Sequence, residues 1–157
     1  MSGFNKFIAS GFGSGYSPFA PGTAGSLVAF LIVAICYQFN WPGEQASFSL
    51  NSILILLVLV FLILGIYVSN QLEEEWGHDS QRIVVDEMVG FWISLLFIQI
   101  TWLNLILALV LFRLFDIFKP WPIRLAEKWP KGWGVMGDDV IAGIFANITL
   151  IIINLFL

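Results

Sequence analysis

The chain has 157 residues, of which 59% are apolar and only 11% are charged. Soluble globular domains carry about 25% charged residues, so this composition indicates a membrane protein. The net charge of −4 without a basic stripe argues against a nucleic-acid partner, and the single cysteine, Cys36, excludes a disulfide framework or a cysteine-rich metal site.

Apolar segments along the chain predict membrane-crossing helices, each of which needs about 20 predominantly apolar residues. Five such segments cover residues 24–39, 53–69, 84–100, 102–118 and 140–157. The second is expected to stay helical to Trp76 with Gly77 as its C-terminal cap, and the third and fourth to form a tight hairpin with only a residue or two between them. Pro120 and Pro122 end the fourth. The prediction is an all-α protein, a polytopic membrane helical bundle of about five apolar helices in one domain over residues 1–157.

The basic residues indicate how this bundle is oriented. One threading through the bilayer places all seven of them on the same side. They are Lys6, Arg82, Arg113, Lys119, Arg124, Lys128 and Lys131. Because short loops rich in Lys and Arg stay in the cytoplasm, the N-terminus and residues 72–83 and 119–137 are predicted to be cytoplasmic, and residues 40–50 to lie outside.

Acidic residues crowd the same side, at the ends of apolar segments. Asp86 and Glu87 begin the third segment, Asp116 ends the fourth, Asp138 and Asp139 begin the fifth, and Asp79 lies in the loop before the third. Ionisable groups at membrane depth are costly and suggest function, and oxygen ligands of this kind suit Mg²⁺. The metal is assigned to Asp86, Glu87 and Asp139. The alternative is that these acids are solvated helix ends matched to the helix dipoles.

Two of the acids are followed by a glycine at helical spacing. Gly90 lies four residues after Asp86, and Gly143 lies four residues after Asp139. Residues four apart share a helix face, and glycines let two helix backbones approach closely. The pattern predicts that Asp86 and Asp139 meet across a helix contact, unless the glycines only serve packing beneath solvated acids.

The fourth segment also carries cations on one face. Arg113, Asp116 and Lys119 are spaced by three residues and form either an ordinary ion-pair ladder or a cationic clamp for phosphate beside a metal ligand. The lone histidine, His78, is better explained as a loop residue than as a proton carrier. Cys36 has no following arginine for a thiolate phosphate loop.

Residues 11–26 form a glycine-, serine- and proline-rich run that is a candidate phosphate-binding loop. Glycines allow backbone amides to turn toward an anion, and a helix N-terminus adds favourable partial charge. Thr23 or Ser26 is expected to cap the first long helix, and Ser14, Thr23 and Ser26 are candidate substrate-binding residues. A flexible re-entrant loop or surface tether is the alternative.

Four ordered motifs cover nearly the whole chain and carry a family resemblance. They are GFGSGYSPFAPGTAGS (11–26), HDSQRIVVDEMVGFW (78–92), FRLFDIFKPWPI (112–123) and GVMGDDVIAG (134–143). With them the chain resembles the phosphatidylglycerophosphatase A family, bacterial inner-membrane enzymes that remove the terminal phosphate of phosphatidylglycerol phosphate. The resemblance implies Mg²⁺ dependence. It carries the family's functional residues over to Asp79, Asp86, Glu87, Asp116, Asp138, Asp139, Arg113, Lys119 and Arg124.

The expected function is therefore that of a Mg²⁺-dependent phosphatase acting on phosphatidylglycerol phosphate at the cytoplasmic face of the inner membrane. Its partners would be the phospholipid and the membrane, with no nucleic acid and no obligatory protein partner evident. One rival is a cation-binding or transport subunit, which should spread its acids through the membrane depth. The other is a lipid–alcohol phosphotransferase, which should carry several acids along two successive helices.

Overall fold

The computed structural model describes residues 3–38, 44–77 and 80–156, and for residues 44–49 the backbone alone. Within these residues the chain forms seven α-helices, one short 3₁₀ turn at Ser14–Tyr16 and no strand. The helices are α1 (Gly3–Ala9), α2 (Pro21–Gln38), α3 (Glu44–Trp76), α4 (Val85–Ser94), α5 (Trp102–Phe118), α6 (Ile123–Ala126) and α7 (Gly132–Asn154). The all-α prediction is confirmed.

Three stretches are long and apolar enough to cross a membrane: Pro21–Gln38, Leu50–Trp76 and Gly132–Asn154. The 17-residue α5 is about 26 Å long at the usual helical rise, close to the thickness of a bilayer core. The ten-residue α4 is too short to span by itself. The prediction of a membrane helical bundle is confirmed, with α1, α4 and α6 as short helices added to the long ones.

The fourth predicted segment coincides with α5, and the second ends where predicted, although α3 begins at Glu44 and not at residue 53. The long α3 ends at Trp76, and Gly77 follows with a φ of 86°, in the left-handed conformation of a C-terminal cap. The helix α5 begins after Thr101, whose hydroxyl accepts a hydrogen bond from Asn104 N at 3.1 Å. Both boundaries are set by local chemistry, which is why the sequence predicts them.

The third segment was predicted to be helical over residues 84–100, but α4 ends at Ser94. Beyond it, residues 95–101 replace the tight hairpin that was predicted. The reason is a polar partner from elsewhere in the bundle, because Asn147 on α7 donates to the Ser94 and Leu96 carbonyls at 3.1 and 2.8 Å. Irregular backbone is tolerated at membrane depth only when protein groups satisfy its polar atoms in this way.

The fifth segment begins earlier than predicted, at Gly132 rather than at residue 140. Its glycines suggested a loop, but they permit close packing. A Cβ atom on Gly132 would lie 2.5 Å from the Ile66 carbonyl oxygen. Asn70 on α3 accepts a hydrogen bond from Gly132 N at 2.8 Å and so satisfies one amide of the first turn. The predicted loop 119–137 is correspondingly shorter and contains α6.

The first segment also begins earlier, at Pro21. Proline suits the first helical position because the amide hydrogen it lacks would have no intrahelical acceptor there. Thr23 and Ser26 therefore lie inside α2, and the Ser26 hydroxyl donates to the Gly22 carbonyl at 3.0 Å. The prediction that Thr23 or Ser26 caps this helix is wrong.

The N-terminal segment packs against the turn between α3 and α4. Val84 N donates to the Ala9 carbonyl at 2.9 Å, and a Cβ atom on Gly15 would lie 2.2 Å from the Arg82 carbonyl oxygen. Lys6 pairs with Glu75 near the end of α3. These contacts bring the start of α2, the end of α3 and the start of α4 to one end of the bundle.

Candidate active site

Three carboxylates meet at this end of the bundle, where α4 crosses α7. Asp86 and Glu87 come from the first turn of α4, and Asp139 comes from the second turn of α7. One oxygen from each lies within 4.8 Å of the other two. Asp86 and Asp139 are buried, and Glu87 is partly buried. Carboxylates that are this close together and this buried repel one another unless a cation neutralises their charge.

The glycines identified in the sequence produce this convergence. A Cβ atom on Gly143 would lie 2.4 Å from the Gly90 carbonyl oxygen, and one on Gly90 would lie 2.7 Å from the Asp139 carbonyl oxygen. The two helix backbones therefore touch directly. Each acid lies one turn before its glycine, so the close approach brings Asp86 and Asp139 to the same place, and the predicted helix contact is confirmed.

Arg113 and Asp116 join this group from α5. Arg113 Nη1 lies 2.6 Å from Asp116 Oδ2 and 3.9 Å from Glu87 Oε1. Asp116 is buried beside Asp139. The Arg113 Nε group is also buried and has no hydrogen-bond acceptor among the described residues. A buried guanidinium with an unused donor is suited to receive an oxygen of an anionic ligand.

Lys119 is engaged with protein carboxylates. Its ammonium donates to Asp138 Oδ2 at 2.5 Å and to Glu127 Oε1 at 2.8 Å. Partial burial by itself lowers the pKa of Lys119, but the hydrogen bonds to Asp138 and Glu127 outweigh it and raise the pKa above its ordinary value. Lys119 therefore stays charged at every physiological pH and remains paired with Asp138.

An open cleft of about 430 Å³ borders Glu87 of the cluster and is within the size range of small-ligand sites. The first turn of α2 forms one wall, so that helix amides without intrahelical acceptors lie beside it. Glu87 and Arg113 also line it, next to Gly22. The lining residues are Pro18, Ala20, Pro21, Gly22, Gln81, Glu87 and Arg113. The cleft therefore connects the acid cluster with a cationic side chain and a helix N-terminus.

The other predicted substrate-binding residues are not among those that line this cleft. The Ser14 hydroxyl donates to the Gly11 carbonyl at 2.9 Å, inside the N-terminal turn. Thr23 and Ser26 follow Gly22 on α2. Arg124 donates to the Phe118 carbonyl from α6, at 3.4 Å. Asp79 lies outside the described residues. Direct phosphate contacts from Ser14, Thr23, Ser26 and Arg124 stay predictions.

Three residues of the site were not found from the sequence. A Cβ atom on Gly22 would lie 2.1 Å from Glu87 Oε1, so this position must be glycine for the acid to keep its place. Gln81 lines the cleft, and Glu127 accepts a hydrogen bond from Lys119. Gly22 could have been found, because it precedes Thr23 in the glycine-rich run. No sequence signal distinguishes Gln81 or Glu127.

The residues present fit a divalent cation. Glu87 Oε2 is buried and accepts no hydrogen bond from any described residue, although a buried carboxylate oxygen is costly without a partner. Together with Asp86 and Asp139 it supplies the hard oxygen donors that Mg²⁺ prefers, while the adjacent cleft leaves room for water and phosphate ligands. The donor set contains no soft ligand that would favour a thiophilic metal.

Membrane-crossing helices with a carboxylate cluster beside a cleft that contains an arginine are the arrangement expected of a membrane-embedded enzyme that acts on phosphate. A model of the family named Phosphatidylglycerophosphatase A matches residues 7–154. The chain therefore belongs to the phosphatidylglycerophosphatase A family, and it is a phosphatase.

Individual relatives agree over almost the whole chain. A protein of Bacteroides thetaiotaomicron, provisionally named a phosphatidylinositol-3-phosphatase, is 45% identical over 91% of this chain and 89% of its own length. The phosphatidylglycerophosphatase A of Haemophilus influenzae is 40% identical over 94% of this chain and 86% of its own, and that of Escherichia coli is 36% identical over 93% and 81%. No solved structure matches the chain.

Proposed function

We propose that this protein is a Mg²⁺-dependent phosphatase that converts phosphatidylglycerol phosphate to phosphatidylglycerol at the cytoplasmic face of the bacterial inner membrane. One observation carries the proposal: the three-carboxylate cluster of Asp86, Glu87 and Asp139 adjoins, through Glu87, a cleft that Arg113 also lines. An enzyme that hydrolyses a phosphate monoester needs both a metal-ion site and a fixed positive group. Here Glu87 belongs to the proposed metal-ion site and also pairs with Arg113.

Asp86, Glu87 and Asp139 would hold the metal ion. When bound there, Mg²⁺ supplies charge neutralisation for the phosphoryl group and favours ionisation of a water. Arg113, which lines the cleft, binds a non-transferred phosphate oxygen, and the start of α2 lies beside the same cleft. The phosphate is thereby oriented before any bond changes.

Asp116 is the group assigned as general base. It pairs with Arg113 at 2.6 Å and lies beside Asp139, so it is close to both the proposed phosphate-binding group and a proposed metal ligand. Its carboxylate takes a proton from the attacking water as the new oxygen–phosphorus bond forms and the bond to the glycerol oxygen breaks. The glycerol oxygen leaves as the alcohol after it takes up a proton, returned by Asp116 or supplied by solvent water. Asp138 is paired with Lys119, which also pairs with Glu127, and it adjoins the proposed metal ligand Asp139.

The cytoplasmic orientation is supported by charge. The basic residues belong to elements at the site end of the bundle, from Lys6 on α1 to Lys131 before α7. Lys- and Arg-rich connections stay in the cytoplasm during insertion. The cleft would then face the compartment in which phospholipid headgroups are assembled.

A second lipid is a candidate substrate because of the 45% identical relative from Bacteroides thetaiotaomicron, which is named for phosphatidylinositol 3-phosphate. Phosphate release by purified protein should therefore be measured on phosphatidylglycerol phosphate, phosphatidylinositol 3-phosphate and phosphatidic acid in matched micelles. We expect the highest kcat/KM on phosphatidylglycerol phosphate. A preference for phosphatidylinositol 3-phosphate would make that lipid the substrate in place of phosphatidylglycerol phosphate. Absence of phosphate release from all three lipids would contradict the proposed function.

A further inference from the structure

The cleft contains a polar side chain, that of Gln81, to which the proposed function assigns no role. We propose that the Gln81 amide binds a hydroxyl group on the headgroup carbon next to the carbon that bears the phosphate. This contact makes the protein selective for phospholipids that carry such a hydroxyl over phosphatidic acid, which lacks one. The inference rests on the proposed function, because it takes the phosphate of a phospholipid headgroup as the group bound at Arg113.

Gln81 differs in chemistry from the other described residues that line the cleft. Glu87 and Arg113 are charged, and Arg113 Nη1 lies 3.9 Å from Glu87 Oε1, which suits the pair to a metal ion and a phosphate. The remaining lining residues are two prolines, an alanine and a glycine, whose side chains have no hydrogen-bonding group. The Gln81 amide is neutral and offers N–H donors and a carbonyl acceptor. A hydroxyl, which both donates and accepts, matches such an amide, whereas a second phosphate is better matched by a cation.

The side chain of Gln81 is available to a ligand, and its backbone is held in place. Gln81 is exposed, and its amide forms no hydrogen bond to another described residue. The residues that follow it are anchored, because the Arg82 carbonyl packs directly against Gly15 and Val84 N donates to the Ala9 carbonyl at 2.9 Å. A binding group on a backbone that is already ordered costs less to immobilise than one on a mobile segment.

The three candidate lipids differ in the atoms next to the phosphate. In phosphatidylglycerol phosphate the phosphate is on an end carbon of the headgroup glycerol, and the middle carbon carries a free hydroxyl. In phosphatidylinositol 3-phosphate both neighbouring ring carbons carry one, whereas in phosphatidic acid the neighbouring carbon carries an acyl ester, which cannot donate a hydrogen bond. Gln81 and Arg113 line the same cleft of about 430 Å³, so a headgroup bound through its phosphate at Arg113 brings this hydroxyl into the space that Gln81 borders.

A double-mutant cycle between the protein and the substrate tests this contact. The substrates are phosphatidylglycerol phosphate and an analogue in which propane-1,3-diol replaces the headgroup glycerol, so that only the hydroxyl is missing. The variants are Gln81→Met, which keeps the length of the side chain without the amide, and the control Gln71→Met, an exposed change on α3 outside the cleft lining. The value of kcat/KM is measured for the purified full-length protein in matched micelles at saturating Mg²⁺.

One neutral hydrogen bond is worth about 3–10-fold in kcat/KM, so we expect the wild-type protein to lose this factor on the analogue. Gln81→Met should lose the same factor on phosphatidylglycerol phosphate and should lose nothing further on the analogue. On phosphatidic acid, Gln81→Met should equal the wild-type protein, because that lipid has no hydroxyl for the amide to bind. Gln71→Met should match the wild-type protein on every substrate.

Two results would overturn the inference. Gln81→Met that equals the wild-type protein on both substrates of the cycle would show that the amide makes no contact with the headgroup. An equal loss on both substrates would make Gln81 a structural residue. Either result in a protein that releases phosphate from phosphatidylglycerol phosphate leaves the proposed function in place, whereas absence of release by the wild-type protein from every lipid rejects the proposed function and the inference with it.

Discussion

Asp86 and Asp139 differ from the other acids of the site in what surrounds them. Among the described residues, Arg113 pairs with Glu87 and Asp116, and Lys119 pairs with Asp138 and Glu127. Asp86 and Asp139 are instead buried against other carboxylates. A bound cation is the partner that such groups need, so their proposed role can be tested through metal binding as well as turnover.

We predict that Asp86→Asn and Asp139→Asn each lower kcat by about 10²–10³-fold, because a neutral amide keeps the size of the side chain but removes a charged ligand. Calorimetry in detergent should show weaker Mg²⁺ binding with an unchanged helical circular dichroism spectrum. Glu74→Gln, which changes an exposed acid near the same end of the bundle, is the control. Either site variant with wild-type kcat and Mg²⁺ affinity would exclude that residue.

We predict that Lys119→Met lowers kcat by about 10–100-fold and Glu127→Gln by less, the range found when an outer partner of a functional group is lost. Both variants should leave KM nearly unchanged, because Lys119 reaches Asp138 at 2.5 Å and does not line the cleft. Lys128→Met, an exposed change in the same connection, is the matched control. A higher KM with unchanged kcat in Lys119→Met would instead make Lys119 a substrate-binding residue, as the sequence predicted.

Sequence patterns identified the site's carboxylates and Arg113 because charged residues are rare in apolar segments and therefore conspicuous. They did not reveal Glu127, which is an exposed acid in the basic connection between α5 and α7. Nor did they show that Lys119 would be engaged by Asp138, because the partner comes from a different helix 19 residues away. Residue types and spacing predict which groups meet, while the partner of each group depends on tertiary structure.

At the scale of elements, the site depends on the crossing of α4 and α7. We predict that Gly143→Ala destabilises the protein by about 1–3 kcal/mol, as expected for overpacking, because the new Cβ atom would lie 2.4 Å from the Gly90 carbonyl oxygen. The melting temperature and kcat should fall together as the helices move apart. Gly3→Ala is the control, since nothing lies within 4 Å of its added atom. A fully active, equally stable Gly143→Ala would contradict the role of the crossing.

The helix boundaries differ in whether the sequence alone could predict them. The end of α3 at Gly77 and the start of α5 at Thr101 depend on residues within a turn of the boundary. The end of α4 and the start of α7 depend on Asn147 and Asn70, which are remote in sequence. Asp138 and Asp139 therefore lie two turns inside α7, which weakens the alternative that they are only solvated helix ends.

At the scale of the whole molecule, the one-sided distribution of Lys and Arg predicts the topology. In a Cys36→Ala background, a cysteine at Lys131 should react with a membrane-impermeant maleimide only after cells are opened. A cysteine at Glu44 should react in intact cells, because residues 40–50 are predicted to lie outside. Labelling of Lys131→Cys in intact cells would reverse the orientation and place the cleft on the outer side.

The central claim is that the cluster of Asp86, Glu87 and Asp139 uses a divalent cation to hydrolyse a lipid phosphate monoester in the adjacent cleft. The most direct test is phosphate release from phosphatidylglycerol phosphate by the purified protein after chelation and then during titration with Mg²⁺, with Asp139→Asn alongside. We predict that wild-type activity disappears on chelation and returns with Mg²⁺, and that Asp139→Asn stays inactive or needs far more Mg²⁺. Full wild-type turnover in protein shown to be free of metal would contradict the claim.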